Sequence, residues 1–532
     1  MSRMHGVFGV TMIENRVSRL PRRSGRRGET AGGRIVLSMH CMGRGTLRSM
    51  VEGNAQESEA LVGIADLGVA TPPPPSGCSP SQSLRDGAAA PFVPPYPPRS
   101  AGPVASWRGF FGERARTAVY GWSEQAFRLP YMRRNILGFR VHIPLDPDAI
   151  QRVLLDNAAN YAKPDVVKAL LAPAIGQGLL TSDGALWRDQ RRIVAANFAP
   201  AAVDGLVPQF GEVGREALER WRPGTMNMAL EATQATMRVI SNTLFSGDAR
   251  LTSDAAMAHI AAALEGVSEA RLQAMLGLPR IPWSRKGFIA QRGQSYLRRT
   301  LETVVNERLP DGGPDDFLGR LIRGLNERFE PKRAAALAAD NAMTFYLAGH
   351  ETTANAVSWT LFLLAEQPDL QEALAEEAAK ALAGGEDAEL PARLPRLRLA
   401  LEESLRLYPP APRFDRQAVE GDRLAGEEVR PGDIISIWPW LLHRHKSLWD
   451  DPDAFVADRF AGGKRHRFQY IPFGAGPRLC VGARFATAEA LTILAHWLSC
   501  WRFGPVPGRA VRVHGMVTLR PAGGLPLILS KR

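Results

Sequence analysis

The sequence predicts a mainly α fold with a smaller β-rich lobe, and three observations carry that prediction. Long runs with the 3.6-residue period of helices fill the middle of the chain, at 251–275, 287–308 and 332–364. Strand-like alternation is confined to a short stretch within 138–155 and to the C-terminal part, around 424–440 and the last twenty or so residues. No repeat of fixed period divides the 532 residues, of which 45% are hydrophobic, enough for one large core.

In chain order, residues 1–90 are rich in arginine, glycine and serine and then in proline, with TPPPPSGCSPSQS around Cys78. They offer too little apolar surface to offset the entropy of ordering, so they read as a disordered Arg/Gly/Pro-rich extension. Order is expected to begin between residues 94 and 107, and residues 91–532 to form a single domain. GFRVHIPLDPDAIQRVLL (138–155) reads as a strand, a turn at Asp146 and Pro147, and a helix. A helix is expected over 184–198, followed by the long middle helices, which LPRIPW and LPDGGPDD separate. Further helices are expected at 369–383, 391–407 and 481–497, and VRVHGMVTLRPAGGLPLIL closes the chain as strand, turn and strand.

The net charge of +12 is unevenly spread. Residues 1–50 hold ten arginines against Glu14 and Glu29, a balance of +8; residues 51–100 carry −3, which leaves +7 for the rest. That excess is too dilute to demand a nucleic-acid partner. No apolar run long enough for a membrane anchor or signal helix stands near the N-terminus, so a soluble, cytoplasmic protein without an integral membrane anchor is expected. Cys41, Cys78, Cys480 and Cys500 form no CxxC pair and no zinc or iron–sulfur spacing, which points to a reducing compartment.

The segment FQYIPFGAGPRLCVGARFATAEALTILAHW places Cys480 after a glycine- and proline-containing loop and just before a helix. Free amides and the helix dipole there favour a thiolate, and Gly474, Gly476 and Gly482 leave room for a flat cofactor. Alone, such a cysteine reads first as a buried structural thiol. In 341–367 a dense apolar pattern marks a buried helix, broken by Gly349, His350, Glu351, Thr352 and Thr353; Thr352 can bond back to a main-chain carbonyl and distort the turn. Glu403 and Arg406 lie on one helical face, as do Trp187 and Arg191.

Taken together these motifs resemble the cytochrome P450 family. Phe473, Gly476, Arg478, Cys480 and Gly482 match F-x-x-G-x-R-x-C-x-G without exception, and Ala348, Gly349, Glu351 and Thr352 match A/G-G-x-D/E-T. Glu403 and Arg406 match E-x-x-R, and Trp187 and Arg191 match W-x-x-x-R. Arg459 would complete a buried network with Glu403 and Arg406, although Ala457 and Asp458 replace the first two residues of the usual P-E-R-F. The resemblance spans roughly 95–532 and implies the P450 fold around heme b (iron protoporphyrin IX), with Cys480 as the proximal iron ligand. It also implies Phe473 beside the sulfur, Trp187, Arg191, Arg416 and Arg478 near the heme propionates, and Gly482 in the cofactor-binding loop. Thr352 with Glu351 would manage proton delivery. His350 falls at a variable position and is not expected to reach iron, and the pair His443 and Arg444 recurs in the family.

The implied reaction is dioxygen-dependent hydroxylation or other oxidation of a lipophilic substrate. Electrons would come from a separate ferredoxin or flavodoxin and its NAD(P)H reductase, because only residues 502–532 follow Trp501. The loop 163–180, Phe345, Ala348, residues 411–415 and the turn 515–517 are expected to border the substrate pocket, and the basic run 464–467 is either a docking surface for an acidic donor or a plain solvated cluster. The sequence around 161–188 is somewhat similar to the fatty-acid-hydroxylase-like branch. A hydrogen-peroxide-dependent peroxygenase fits less well, because that class tends to lose the threonine function; a noncatalytic heme sensor or electron carrier leaves the oxygen-activation motif without a use.

Overall fold

The computed structural model describes residues 91–102, 117–136, 138–253, 256, 259, 284–309, 311–515 and 517–532. The extension 1–90 and most of the expected helix 251–275 lie outside the described residues. The helices that carry the fold are α1 (Asp165–Ile175), α2 (Gly184–Ala195), α3 (Val207–Arg220), α4 (Met228–Leu244), α5 (Arg285–Arg308), α6 (Phe317–Asn326), α7 (Pro331–Ala365), α8 (Pro368–Ala383), α9 (Pro395–Leu407) and α10 (Ala483–Cys500). The mainly α class with a smaller β part holds.

Helix α7 is the axis of the packing. Pro331 stands in its first turn, where a missing amide is tolerated, and the following 34 residues contain no other proline and one glycine. Between residues 337 and 365 it is buried on nearly all sides, so its sequence is apolar around the whole circumference rather than along one stripe. Gly349 lets it press closely on α4: a Cβ there would come within 2.6 Å of Ile240 Cδ1. Trp359 stacks on Tyr408 beyond the end of α9, with ring centroids 4.0 Å apart and an interplanar angle of 7°.

The strands are β1 (Tyr131–Ile136), β2 (Phe139–Pro144), β3 (Tyr161–Ala162), β4 (Gly224–Asn227), β5 (Phe414–Ala418), β6 (Asp422–Leu424), β7 (Glu427–Val429), β8 (Ile434–Ile437), β9 (Trp501–Pro505), β10 (Val513–His514), β11 (Arg520–Pro521) and β12 (Pro526–Lys531). The largest sheet has the order β1-β2-β8-β5-β3. Its β2–β8 pair is parallel, with Val141 opposite Ile434, and its other pairs are antiparallel. A second sheet places β12 between β4 and β9, so the C-terminal strand ties the end of the chain to the start of α4.

Three local expectations change. Strand β1 was not foreseen, because Arg133, Arg134 and Asn135 mask the alternation of an edge strand with one open face. The helix expected over 391–407 is two pieces, a 3-10 turn at Asp387–Arg393 and then α9. Pro395 drives Leu394 out of the helical region, to φ −117° and ψ 53°, and breaks the run there. Beyond Asp146, whose side chain accepts a bond from the Ala149 amide, the helix Pro147–Gln151 widens into a π turn at Arg152–Asp156.

A buried charge network fixes the segment that leads into the Cys480 loop. Both Glu403 oxygens accept from Arg406, at 2.7 and 2.8 Å, and one also accepts from Arg459 Nε at 2.9 Å and the Val456 amide at 3.0 Å. Arg406 donates onward to the carbonyls of His443, Pro452 and Ala454, and Arg459 to those of Asp450 and Asp451. Buried charges are costly unless paired and hydrogen-bonded, as Glu403 and Arg406 are here. His443 accepts the Ile471 amide at 2.9 Å, and Arg444, fully buried, lies over the Trp440 ring at 3.8 Å and beside Asp453. The network therefore clamps 443–460 with main-chain bonds and reaches the surface only at Arg459.

Replacing Glu403 by alanine strands two buried guanidinium groups, so Glu403→Ala should cost about 3–5 kcal/mol of stability. Urea unfolding followed by tryptophan fluorescence measures it; a loss below about 1 kcal/mol would show that the network is dispensable.

Candidate functional site

Cys480 closes a tight loop whose bonds are local. Its amide donates to the Phe473 carbonyl at 2.9 Å, the Gly474 amide to Ile471 at 3.1 Å and the Leu479 amide to Gly476 at 3.0 Å. Gly474 and Gly476 have φ of +73° and +67°, a region that disfavours side chains. Gly476 has a second reason to be glycine: a Cβ would lie 1.8 Å from the Leu154 carbonyl oxygen in the π turn. That contact alone requires glycine at 476. At Gly474 a Cβ would meet nothing within 4 Å.

Residue Cys480 is accessible, yet burial is the largest influence on its thiol and pushes its pKa up. A group both reachable and closely surrounded stands at the wall of an internal hollow. The Gly482 amide and the charge of Arg191 oppose the rise. The expected thiolate stabilisation is thus present, and burial outweighs it in the protein's own residues. Among the described residues no group of three His, Cys, Asp or Glu side chains could hold a metal ion; a metal at this sulfur has to bring its own ligand frame.

The open part of α7 is short. Residues 337–346 and 353–365 are buried, whereas Leu347, Ala348, Gly349, Glu351 and Thr352 are not. Thr352 Oγ1 donates back to the Ala348 carbonyl at 2.8 Å, yet the helix stays continuous, so the expected distortion does not break it. Glu351 accepts from Thr518 Oγ1 at 2.7 Å and has Arg520 at 3.8 Å. The two members of the expected proton-delivery pair therefore have separate partners, and Glu351 is tied to the C-terminal turn. The next residue, Thr353, faces Glu489 of α10, whose carboxyl burial pushes well above the usual range; α7 and the helix that follows Cys480 are neighbours.

His350 is buried against α4, with Nδ1 2.6 Å from the Tyr346 carbonyl and its own carbonyl accepting from Thr236. It does not face the open stretch, as expected. Phe345 departs from expectation. It stacks on Phe198, at 5.7 Å, meets Phe317 edge-to-face, at 4.8 Å, and is buried in that aromatic cluster rather than open at the pocket. One turn separates it from Ala348, and the crossing with α6 decides which side it takes.

Cations gather near the loop. Arg478 lies over the Trp187 ring at 4.5 Å and pairs with Asp183 through Nη2, while its Nη1 is buried without a hydrogen-bond partner. Lys163, which the sequence analysis missed, donates Nζ to the Leu179 and Ser182 carbonyls at 2.8 and 3.0 Å. Burial and then Arg478 press its pKa down to about 6. Arg416 on β5 is pressed to about 10 by burial and by the same Arg478. Arg191, one helical turn past Trp187, is lowered by burial and feels the charge of Cys480. A lone lysine in YAKPD, just before α1, gives little sequence signal, which is why Lys163 was passed over. Of the basic run, Lys464, His466 and Arg467 are exposed, but Arg465 folds in over Phe460 at 4.9 Å.

Mutually repelling, half-desolvated cations with an orphaned guanidinium nitrogen call for an anion. A cytochrome P450 family model matches residues 129–520. The chain belongs to the cytochrome P450 family.

This P450 is similar to cyclooctatin synthase of Streptomyces melanosporofaciens, 31% identical over 74% of the chain and 86% of that protein. It is also similar to the putative cytochrome P450 132 of Mycobacterium tuberculosis, 28% identical over 73% of the chain and 87% of that protein. The structure of retinoic acid bound cyanobacterial CYP120A1 has the same fold, with a TM-score of 0.67 at 23% identity over 76% of the chain and 92% of that chain. The protein is thus a P450 enzyme, an oxidoreductase that binds heme and acts as a monooxygenase. Among the described residues no helix is long and apolar enough to cross a membrane.

Gly476→Ala should lose most bound heme, since neither the φ nor the Leu154 carbonyl can give way cheaply, whereas Gly474→Ala should show only the strain of about 1–2 kcal/mol that a left-handed alanine carries. Heme content per polypeptide after matched expression checks the ranking, and equal retention would contradict it.

Proposed function

We propose that this P450 binds heme b through Cys480 and hydroxylates a lipophilic substrate with dioxygen and two electrons from a separate ferredoxin or flavodoxin and its NAD(P)H reductase. The observation that carries the reading is the accessible but enclosed Cys480 beside a cation set with an unpaired Arg478 Nη1. The residues fit the cofactor: Cys480 would hold iron, Phe473 would pack at the loop start, and the Gly482 amide would bond the sulfur. Arg478, Arg416, Arg191 and Lys163, with Trp187 beneath Arg478, would receive the two carboxylates.

When bound, heme activates dioxygen so that one oxygen atom enters an R–H bond and the other leaves as water. The chain's own part is to hold and move protons and to shape the pocket. Thr352 Oγ1 donates to Ala348 O at rest, and rotation of that hydroxyl lets it give or hold a proton on the open face of α7. Glu351, held by Thr518, stands next to it as the acid that resupplies the proton.

The substrate class follows from apolar, accessible residues in the segments expected to line the pocket, Leu180, Ala348 and Val517. A donor protein with an acidic face would meet the exposed Lys464, His466 and Arg467. The described Cys480 and Cys500 are free thiols, which suits the reducing cytoplasm as the place of action.

Reconstitution with donor proteins and a lipophile that changes the heme spectrum tests the reading. Cys480→Ser should lose the reduced carbon-monoxide spectrum of thiolate-ligated heme, while Cys500→Ser keeps it. Thr352→Ala should keep heme, with product per electron falling roughly tenfold or more and hydrogen peroxide rising. Thiolate character without Cys480, or full coupling without Thr352, would refute the corresponding role.

A further inference from the structure

Among the cations beside Cys480 stands an acid with an unusual set of partners. Asp183 occupies the cap position before α2, where an aspartate ordinarily accepts from the first amides of its own helix. Here the side chain makes no capping bond. Its oxygens instead meet Arg478 Nη2 from the Cys480 loop, Lys168 Nζ at 2.9 Å from α1, and the Lys163 amide at 3.3 Å. One carboxylate thus joins three separate segments around the place where cofactor carboxylates would be received.

The consequence for Arg478 is directional. Asp183 holds one terminal nitrogen, the Trp187 ring supports the guanidinium face at 4.5 Å, and the other nitrogen, Nη1, is buried with no partner. Lys163 is similarly constrained: its amide is on Asp183, and Nζ donates to Leu179 and Ser182, so only its protonated form, which an approaching carboxylate favours, has a third donor to offer. Both cations keep unused donors, Arg478 the two N–H groups of Nη1, and both are oriented by the same acid or by the backbone it anchors.

Resting on the heme reading above, we propose that Asp183 is a positioning residue for the heme carboxylates: it fixes Arg478 and the Lys163 backbone so that their remaining donors are preset, and its charge moderates the repulsion among Lys163, Arg416 and Arg478. The alternative role has the opposite sign. If Asp183 merely occupied Arg478 in competition with the cofactor, removing its charge would tighten heme binding.

The test is the rate of heme transfer to excess apomyoglobin from the wild-type protein, Asp183→Asn and Asp183→Glu, loaded either with iron protoporphyrin IX or with its dimethyl ester, which lacks the two anionic carboxylates. Asp183→Asn should lose iron protoporphyrin IX roughly tenfold faster than the wild type, with Asp183→Glu in between, because a charge-assisted bond then loses its fixed geometry. For the dimethyl ester the three proteins should release at the same rate. Slower or unchanged release of iron protoporphyrin IX from Asp183→Asn overturns the proposal in favour of competition or irrelevance. Equal acceleration for both porphyrins overturns it in favour of general loop anchoring. A wild type with a thiolate spectrum that releases both porphyrins alike refutes the carboxylate site itself; one without that spectrum refutes the heme reading, and the ester comparison keeps these failures apart.

Discussion

Desolvation of charge is the constraint on which the rest of this structure depends. A thiol, three arginines and a lysine are brought close to one hollow, and burial disfavours the charged form of every one of them. Left to themselves these groups would weaken the fold. On the proposed reading, carboxylates at one edge of the cofactor would answer the cations and its iron would answer the sulfur, which would couple cofactor binding to local stability. Asp183 is the carboxylate that meets Arg478, Lys168 and the Lys163 backbone at once, which gives its placement more weight than its position at a helix start would suggest.

The scaffold is arranged to hold that set of groups still. Arg406 uses all five of its donors on Glu403 and the main chain of 443–454, and Arg459 adds bonds to Glu403 and the same stretch, so the approach to the Cys480 loop has few ways to shift. On the other side, Gly349 allows α7 to sit close to α4, and the stretch 347–352 is the place where a buried helix opens. The Thr518–Glu351 bond links that opening to the segment between β10 and β11, so the acid expected to pass protons is tied to the residue that follows the expected pocket turn 515–517.

Much of this was legible because the motifs combine several residues with separate physical reasons. The Cys480 loop, the Glu403 pair and the Trp187 helix each fix two or more positions at set spacing, and periodicity alone located α7 and α10. What escaped was either single or directional. Lys163 is one residue with no partner in sequence; Asp183 reads as an ordinary helix cap. Periodicity assigned Phe345 to a buried helix but could not say that it faces Phe198 and Phe317, since burial round the whole of α7 erases the stripe that tells one side from another. The sequence offered no sign that Gly476 also meets the Leu154 carbonyl, a contact between segments more than three hundred residues apart. Strand β1 hid behind arginines because an edge strand needs only one apolar face.

The central claim is that Cys480 sulfur is the iron ligand within a carboxylate-receiving cation set. Resonance Raman spectroscopy of the ferric heme-loaded protein tests it most directly, with Cys41, Cys78 and Cys500 replaced by serine and the remaining cysteine labelled with heavy sulfur. The account predicts an iron–sulfur stretching band that moves to lower frequency with the label. A band that ignores the label, or a spectrum of iron held by nitrogen or oxygen, would contradict it.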